Sequence, residues 1–474
     1  MKSRIALLLV SCAAALVSCG GGDATSSSVF SRRSIESWSN PYAGTATESV
    51  NLTIWSGETQ ESVDYIKMVA SDFKKANPKS NYNFTIKPVS ESSVSGDWEQ
   101  NPNTAADLAI AADDQIPSMV SSKRLVSLEQ LSAVKIPGLK DNVVARTLPE
   151  AIDAVTQPDP EDPEVEKVYG IPVSASNGFV LYYNSKYVHA DEVGSFESLL
   201  AGINRASTEA GRNLVFGYPY NSGWYLDGWF HGAGFSVTGE AGKTYCVCDW
   251  NTTLSSGVTG LDVASSMVRL AHGQYKSHWN ADAETKLMTR INDDSNNQVV
   301  ATISGTWNYN KLVKAWGEEN TKATVLPTYH LAAKNADVRM CSVKGFKIAV
   351  INKAKANAPA AARFAEFLAN YESQVLRYDF LNEAPANLDA RTLIEKEELN
   401  PVVKAINDQW ETSFVEKVNP TYWNPSNGLS VQLADQTNGD LIVSGDGTAA
   451  VVLNEAAIQA ALDACVASLA PAAA

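Results

Sequence analysis

Aromatic and short polar side chains alternate in two segments of the sequence, residues 221–229 and residues 307–310. A sugar ring presents an apolar C–H face and a rim of hydroxyl groups, so a site that binds it needs flat aromatic rings beside short polar side chains. A ligand hydroxyl both donates and accepts, and it can therefore pair with a carboxylate and an amide at once. The two segments predict a carbohydrate-binding surface.

The alternative for each of these tryptophans is a place in the hydrophobic core, where large aromatic side chains are usually buried. For Trp224 the two interpretations stay open. Trp307 follows Gly305 and has polar neighbours, which is typical of the end of a strand. Because open α/β sheets bind their ligands at strand ends, the pattern favours Trp307 as a binding residue.

Catalytic and metal-binding motifs are weak in this sequence. Hydrolysis of a glycosidic bond needs two positioned carboxylates, and these are so abundant here that their presence decides nothing. The five histidines form no HExxH motif, no GxSxG motif occurs, and two SxxK matches lack a KTG partner. Residues 246–248 read Cys-Val-Cys, without a second close pair or a histidine at ligand spacing. We therefore expect no catalytic residue, no metal site and no cofactor.

The elements that must position the binding residues alternate between strands and helices. Four segments read as strands, by alternation or by a short apolar run: residues 50–54, 82–86, 107–111 and 179–184. Three segments have the spacing of amphipathic helices: residues 63–73, 196–210 and 359–377. Residues 157–167 contain three prolines, which argue against regular structure, and many carboxylates. The segment is expected to form a solvated hairpin loop, with a calcium site or a catalytic pair of carboxylates as the alternatives. The order of elements predicts a doubly wound α/β fold.

The first residues have the layout of a secretory signal. Lys2 and Arg4 precede an apolar run over residues 5–17, and Cys19 follows it. Residues 16–19 resemble the lipobox of bacterial lipoproteins, in which the cysteine is acylated and becomes the new N-terminus. We expect a signal peptide over residues 1–18 and a lipidated Cys19 with a flexible Gly/Ser tether over residues 19–49. An ordinary cleaved signal peptide is the alternative.

The size and charge of the mature chain restrict its class. Removal of residues 1–18 leaves 474 − 18 = 456 residues, which is more than one core usually supports, so two lobes are expected. The mature chain has 38 − 2 = 36 basic and 53 acidic residues. This negative field argues against nucleic-acid binding. Four cysteines remain, and their pairing stays open: Cys246, Cys248, Cys341 and Cys465.

Several segments together resemble the maltose-binding type of extracellular solute-binding proteins, which serve ABC sugar importers. The resemblance covers most of residues 50–390. In the first lobe, residues 52–58 resemble the family's first strand and its polar turn, and residues 106–115 resemble a later strand followed by a polar turn, here Asp-Asp-Gln. Residues 169–184 resemble the segment that crosses to the second lobe, and residues 325–328 resemble the return crossing. Residues 301–307 resemble a stretch that reads Ile-Asn-Gly-Pro-Trp in the family.

The resemblance implies a two-lobe periplasmic-binding-protein-like fold (type II) with three crossovers between the lobes. The crossings are expected near residues 174–178, 326–328 and 383–386. One lobe is then predicted over residues 50–174 plus 328–383, and the other over residues 175–327 plus 384–474. The ligand would lie between the lobes, bound by Glu58, Asp114, Asn177, Trp224, Trp307, Tyr309 and Trp423.

The function that the resemblance implies is that of an extracytoplasmic substrate-binding lipoprotein. It would capture a carbohydrate, expected to be an oligosaccharide, as a monomer and deliver it to ABC transporter permease subunits. The alternatives are a lipid-anchored glycoside hydrolase and a binder of a non-sugar polar solute. Asn177 stands where the maltose binder has a carboxylate, and Gln115 where it has an arginine. The identity of the sugar is therefore not carried over.

Overall fold

The structure is a computed structural model that describes residues 41–42, 44–101, 104–239, 243–293, 296–447 and 451–471. The predicted signal peptide, Cys19 and most of the tether lie outside the described residues. The fold is α/β, with two five-stranded mixed sheets that are each covered by helices.

The first sheet has its strands in the order β2-β1-β3-β16-β6. The first three are parallel to one another, and β16 runs antiparallel to both of its neighbours. The central strands β3 and β16 are buried along their whole length, as their apolar runs predict. The bounds are β1 (Ser49–Trp55), β2 (Asn81–Lys87), β3 (Leu108–Ala112), β6 (Ile171–Ser174) and β16 (Lys347–Ile351).

The second sheet has its strands in the order β11-β8-β12-β7-β13. Here β11, β8 and β12 are parallel, and β7 runs antiparallel between β12 and β13. The bounds are β7 (Phe179–Asn184), β8 (Leu214–Pro219), β11 (Trp279–Asp282), β12 (Gln298–Gly305) and β13 (Thr321–Thr324).

Within the described residues, four two-stranded ribbons lie outside these sheets. The acidic segment, predicted to lack regular structure, forms one of them, and most of its second strand is exposed. Its prolines are tolerated because a two-stranded ribbon leaves outward-facing positions that need no N–H donor. The ribbons are β4 (Thr156–Asp159) with β5 (Asp162–Val168), β9 (Val237–Gly239) with β10 (Cys246–Cys248), β14 (Thr328–Leu331) with β15 (Ala336–Arg339), and β17 (Ile442–Ser444) with β18 (Val452–Leu453).

Most of the helices that cover the sheets begin at a residue whose side chain caps the helix or at a proline. In the described part of the chain, none of them is long and apolar enough to cross a membrane. They are α1 (Gln60–Ala76), α2 (Val94–Gln100), α3 (Ile116–Ser121), α4 (Leu128–Val134), α5 (Leu139–Arg146), α6 (Pro149–Val155), α7 (Phe196–Ala210), α8 (Gly223–Ala233), α9 (Gly260–His272), α10 (Glu284–Thr289), α11 (Tyr309–Trp316), α12 (Ala358–Leu368), α13 (Tyr371–Leu381), α14 (Leu388–Ile394), α15 (Pro401–Asp408), α16 (Trp423–Ala434) and α17 (Glu455–Leu469).

The helix predicted over residues 359–377 is in fact two helices, α12 and α13. Asn370 lies between them in an extended conformation, and its side chain accepts a hydrogen bond from the backbone N–H of Ser373 at 2.8 Å. This N-cap starts a new helix. The apolar stripe continues across the break, so periodicity alone did not reveal it.

The chain crosses between the two sheets three times. The first crossing, residues 175–178, joins β6 to β7, and its backbone lies against the second crossing. Asn177 N–H donates to the carbonyl oxygen of Gly345 at 3.0 Å. A Cβ atom on Gly345 would lie 2.1 Å from the carbonyl oxygen of Asn177, so the close approach requires glycine.

The second and third crossings lie later in the chain than the sequence indicated. The β14–β15 ribbon, assigned to the first lobe from sequence, packs against α8 and α9 beside the second sheet. The chain returns to the first sheet only after Met340. Helix α14 still packs against α13, whereas α15 packs against β7 and β13, so the third crossing lies between α14 and α15.

Candidate functional site

A cavity of about 1130 Å³ lies where the two sheets present the ends of their parallel strands. The residues that follow β1, β2 and β3 line one side, and those that follow β8, β11 and β12 line the other. In an open α/β sheet the carboxyl ends of parallel strands form the ligand-binding edge. Here two such edges meet in one cleft.

Six of the seven ligand-binding residues predicted from sequence line this cavity: Glu58, Asp114, Asn177, Trp224, Trp307 and Trp423. Tyr309 does not. It starts α11, its side chain is 5% exposed, and its ring centroid lies 6.3 Å from that of Tyr182 in the core. In a helix, side chains two positions apart point in nearly opposite directions, so Tyr309 points into the core whereas Trp307 lines the cavity.

The tryptophans form the apolar wall of the cavity. The rings of Trp224 and Trp307 have centroids 5.5 Å apart and planes 34° apart. Trp224 also contacts Phe179 edge-on, with centroids 4.7 Å apart. Each of the two tryptophans is only half-buried, so part of each ring faces the cavity. Such rings offer flat apolar surface to a ligand.

Gly305 sets the position of the Trp307 ring. A Cβ atom added to Gly305 would lie 2.0 Å from Cζ3 of Trp307, much closer than any real contact. The backbone of Gly305 is extended, with φ −76° and ψ 173°, so the glycine is required by the ring above it and not by its own conformation.

A buried ion network closes one side of the cavity. Lys347 Nζ lies 2.7 Å from Oε1 of Glu383 and 3.0 Å from Oε2 of Glu91, and Arg377 Nε lies 2.6 Å from Oε2 of Glu383. Burial raises the pKa of Glu383, but Arg377 and Lys347 outweigh it and hold that pKa at about 2. Glu383 therefore stays ionised between two cations.

Three carboxylate oxygens in the cavity are buried without a hydrogen-bond partner among the described residues: Glu91 Oε1, Asp114 Oδ1 and Glu416 Oε1. The second oxygen of each is engaged, by Lys347 for Glu91, by the amide of Gln115 at 3.1 Å for Asp114, and by the indole N–H of Trp224 at 3.0 Å for Glu416. Buried acceptors without a partner are costly, so each of these oxygens would be stabilised by a hydrogen-bond donor.

Two of these carboxyl groups, Asp114 and Glu416, and the neighbouring Asp113 are hard to ionise. Burial, followed by the charges of Asp114 and Asp113, raises the pKa of Glu416 well above its usual range. Burial also raises the pKa of Asp114 to about 6, and burial with the charge of Asp114 raises the pKa of Asp113 to about 7. Both desolvation and like charges disfavour the ionised form.

Glu284 is the best-held acceptor of the second side. Its Oε1 accepts from the hydroxyl of Tyr225 at 2.9 Å, the hydroxyl of Ser304 at 2.6 Å and the amide of Asn308 at 3.0 Å. These donors come from α8, from the end of β12 and from the turn after it, and they hold the carboxylate at the edge of the cavity.

Four of these charged residues were missed from sequence: Glu91, Glu284, Lys347 and Glu416. Glu91 follows a predicted strand, so the rule that binding residues follow strands would have found it. Glu284 follows β11, which was not predicted, and Glu416 lies in a segment of irregular structure. Lys347 lies within a strand that is otherwise apolar, and its charge is the only feature of that strand that could have indicated a site.

No group of three or more His, Cys, Asp or Glu side chains in the described ranges could hold a metal ion. The cavity thus combines flat aromatic surface with carboxylate acceptors. This combination can bind a polar ligand that has apolar faces and several hydroxyl donors.

Known proteins similar to this chain share its length and fold. A maltooligosaccharide ABC transporter solute-binding lipoprotein of Streptococcus pneumoniae serotype 4 is 24% identical over 422 residues, which cover 87% of this chain and 88% of the relative. The structure of the maltodextrin-binding protein MalE1 from L. casei BL23 without ligand has a TM-score of 0.66 at 21% identity and covers 90% of this chain and 100% of that one. MalX from Streptococcus pneumoniae in complex with maltopentaose has a TM-score of 0.64 at 19% identity, covering 88% and 99% of the two chains.

These solved structures confirm the two-lobe fold that the resemblance implied. The family model for bacterial extracellular solute-binding proteins matches residues 69–405, which include the three crossings and every strand of the two sheets except β1. The chain therefore belongs to the family of bacterial extracellular solute-binding proteins.

Proposed function

We propose that this protein captures an oligosaccharide of the maltodextrin type in its cleft and delivers it to the permease subunits of an ABC transporter. The observation that carries the proposal is the cavity itself, which is lined by half-buried tryptophan rings and by acidic side chains from both sides of the cleft. A glucose unit matches this surface, because its C–H faces can pack on the rings while its hydroxyls donate to the carboxylates.

The size of the cavity favours more than one sugar ring. A volume of about 1130 Å³ exceeds the range of roughly 300–1,000 Å³ that is usual for small-molecule pockets. Trp224 and Trp307 lie together, and Trp423, the first residue of α16, lines the same cavity. In our proposal these rings contact successive sugar units, while Glu58 and Asn177 meet hydroxyls along the chain of the oligosaccharide.

The names of similar proteins support this ligand class. The Streptococcus pneumoniae relative is a maltooligosaccharide transporter lipoprotein, and the MalX structure contains maltopentaose. We propose by analogy that Cys19 of this chain carries the lipid anchor, which keeps the protein outside the cytoplasm and beside its permease. We also propose that the ligand is released intact, without hydrolysis.

A thermal unfolding panel tests the proposed ligand class. The mature chain, with Cys19→Ser to prevent acylation, is mixed with maltotriose, maltopentaose or cellopentaose. A ligand that binds only the native state at about 100 times its Kd adds about 2.7 kcal/mol of stability. We expect stabilisation by the two maltodextrins and little by cellopentaose. Absence of stabilisation and of calorimetric binding for both maltodextrins would refute the ligand class.

The same samples separate a receptor from a hydrolase. Chromatography after prolonged incubation should recover maltopentaose intact. Sustained release of shorter sugars, abolished by a single substitution such as Glu416→Gln, would instead assign the cleft to a glycoside hydrolase.

A further inference from the structure

The two carboxylate oxygens of Glu284 have different surroundings. Oε1 accepts three hydrogen bonds, from the hydroxyl of Tyr225 at 2.9 Å, the hydroxyl of Ser304 at 2.6 Å and the amide of Asn308 at 3.0 Å. The side chains that supply these donors are all buried. Oε2 receives no hydrogen bond or ion pair from the described residues, and it is not buried. Because Glu284 lines the cavity, Oε2 is the oxygen that a ligand can reach.

The groups around Oε1 are fixed as donors. Asn308 Oδ1 accepts a hydrogen bond from Lys311 Nζ at 3.0 Å, so Nδ2 is the end of this amide that faces Glu284. The same Nδ2 donates to Oγ of Ser304 at 2.8 Å, and the hydroxyl proton of Ser304 is therefore free to bond Glu284. A displaced carboxylate would leave these buried donors unpaired, which is costly. The carboxylate is thus held in one position before a ligand binds.

The same contacts place Glu284 beside the aromatic rings of the cavity. The ring of Tyr225 has its centroid 5.2 Å from that of Trp224, and Asn308 directly follows Trp307 in the chain. The two tryptophan rings have centroids 5.5 Å apart, so the carboxylate is bonded to both segments that supply this pair. The hydroxyls of a sugar unit packed on these rings project outward from its edge, where a side chain next to the rings can accept from them.

The chemistry of Oε2 distinguishes a free hydroxyl from a substituted one. A hydroxyl supplies a proton, and hydrogen bonds to an ionised group are roughly twice as strong as neutral ones. An ether oxygen at the same place has only lone pairs, and it would take water from Oε2 without giving it a donor. Three donors already occupy Oε1, so the protein offers the ligand no second acceptor on this side chain.

We propose that Glu284 selects ligands by their hydroxyl donors: its Oε2 accepts a hydrogen bond from one hydroxyl of the sugar unit that packs on Trp224 and Trp307. This inference rests on the proposed function and deepens it, because it names the residue that determines specificity at this unit. The ligand class is then an oligosaccharide in which this hydroxyl is free, and a chain that is substituted at this hydroxyl is rejected.

Glu284→Gln tests the proposal with almost no change of shape. The three donors around Oε1 require an acceptor, so the amide oxygen should take that position and the amide nitrogen should replace Oε2. The variant presents a donor to the ligand in place of an acceptor. We expect the Kd for maltotriose, measured by isothermal titration calorimetry on the mature chain with Cys19→Ser, to rise about tenfold or more. Glu99→Gln, in the exposed part of the same cavity, should leave the Kd unchanged.

A panel of maltotrioses that each lack one hydroxyl separates a direct contact from an effect on the fold. If Glu284 contacts the ligand, the loss caused by Glu284→Gln shrinks for the analogue without the contacted hydroxyl, since that hydrogen bond is already absent. For the other analogues the loss should stay at about tenfold or more. Thermal unfolding without ligand verifies that the variant is folded. If it is not, Glu284→Asp takes its place in the panel, because it keeps the carboxylate but withdraws it from the ligand.

The outcomes distinguish this inference from the proposed function. If maltotriose binds the protein and binds Glu284→Gln equally well, the role of Glu284 is refuted while oligosaccharide capture stands. The same conclusion follows if the loss is equal for every member of the panel, because Glu284 would then act only through the fold. If neither maltotriose nor maltopentaose binds the protein, the proposed function fails and the inference fails with it.

Discussion

Gly305→Ala should weaken ligand binding without touching the ligand. The added methyl group would lie 2.0 Å from Cζ3 and 2.1 Å from Cη2 of Trp307, where carbon atoms normally remain about 3.5–4.0 Å apart. The backbone of Gly305 already has a conformation that alanine adopts readily. The strain is therefore relieved by movement of the Trp307 ring by roughly 1.5 Å or more, toward the cavity.

The expected loss follows from the role of a stacked tryptophan in binding. Removal of such an anchor costs on the order of 2–4 kcal/mol, and displacement of its ring should cost a similar amount. This corresponds to an affinity that is roughly 30-fold lower or worse. Isothermal titration calorimetry with maltopentaose measures the loss, and urea unfolding of the ligand-free variant should show a much smaller change in stability.

A matched glycine of the same cavity provides the control. Gly96 lies in α2, and a Cβ atom there would meet nothing within 4 Å, so Gly96→Ala should leave binding intact. The decisive variant combines Gly305→Ala with Trp307→Ala. If Gly305 acts through Trp307, the double variant binds no worse than Trp307→Ala alone. Additive losses, or normal binding by Gly305→Ala, would refute the proposed positioning of the ring.

Three further predictions concern stability and location. Lys347→Met should lower the free energy of unfolding by about 3–5 kcal/mol in urea titrations, because Glu383 and Glu91 lose a buried cation. In the folded state the pKa of Glu383 is about 2, which is below its ordinary value. The ionised carboxylate therefore stabilises the fold fully at pH values above the ordinary pKa, and this stabilisation is lost as the pH falls toward 2. In Glu383→Gln, the free energy of unfolding should change less over this range of pH. Cys19→Ser should move the protein from the membrane to the soluble fraction, and unchanged incorporation of labelled fatty acid would contradict lipidation.

Much of the fold could be predicted from sequence because its strands have clear patterns. The alternation over residues 50–54 and 82–86 corresponds to β1 and β2, and helix α7 has the predicted bounds of residues 196–210. The crossings were harder to predict. The β14–β15 ribbon has buried Tyr329 and Leu331 on one face, and such a pattern shows that a segment packs against a core without showing which of two cores it joins.

The candidate site was predictable where it follows strands that have clear patterns. Glu58, Asp114 and Trp307 come directly after β1, β3 and β12, so their positions depend only on local order along the chain. Glu416 could not be found this way, because it follows no strand and reaches the cavity only through tertiary packing. Tyr309 was predicted to bind ligand because it is close in sequence to Trp307, but its side chain is buried in the core.

The unpaired carboxylates connect ligand chemistry to closure of the cleft. An acceptor that loses water without gaining a donor costs about 1–3 kcal/mol, and Asp114 and Glu416 approach the cleft from opposite sheets. Tighter closure around an empty cavity would supply no donor to either acid and would further disfavour the ionised form of both. A ligand that donates hydrogen bonds to both removes this penalty, so the same groups that select the ligand also disfavour the closed state in its absence. In our proposal, a permease that recognises the closed form would then engage the loaded protein in preference to the empty one.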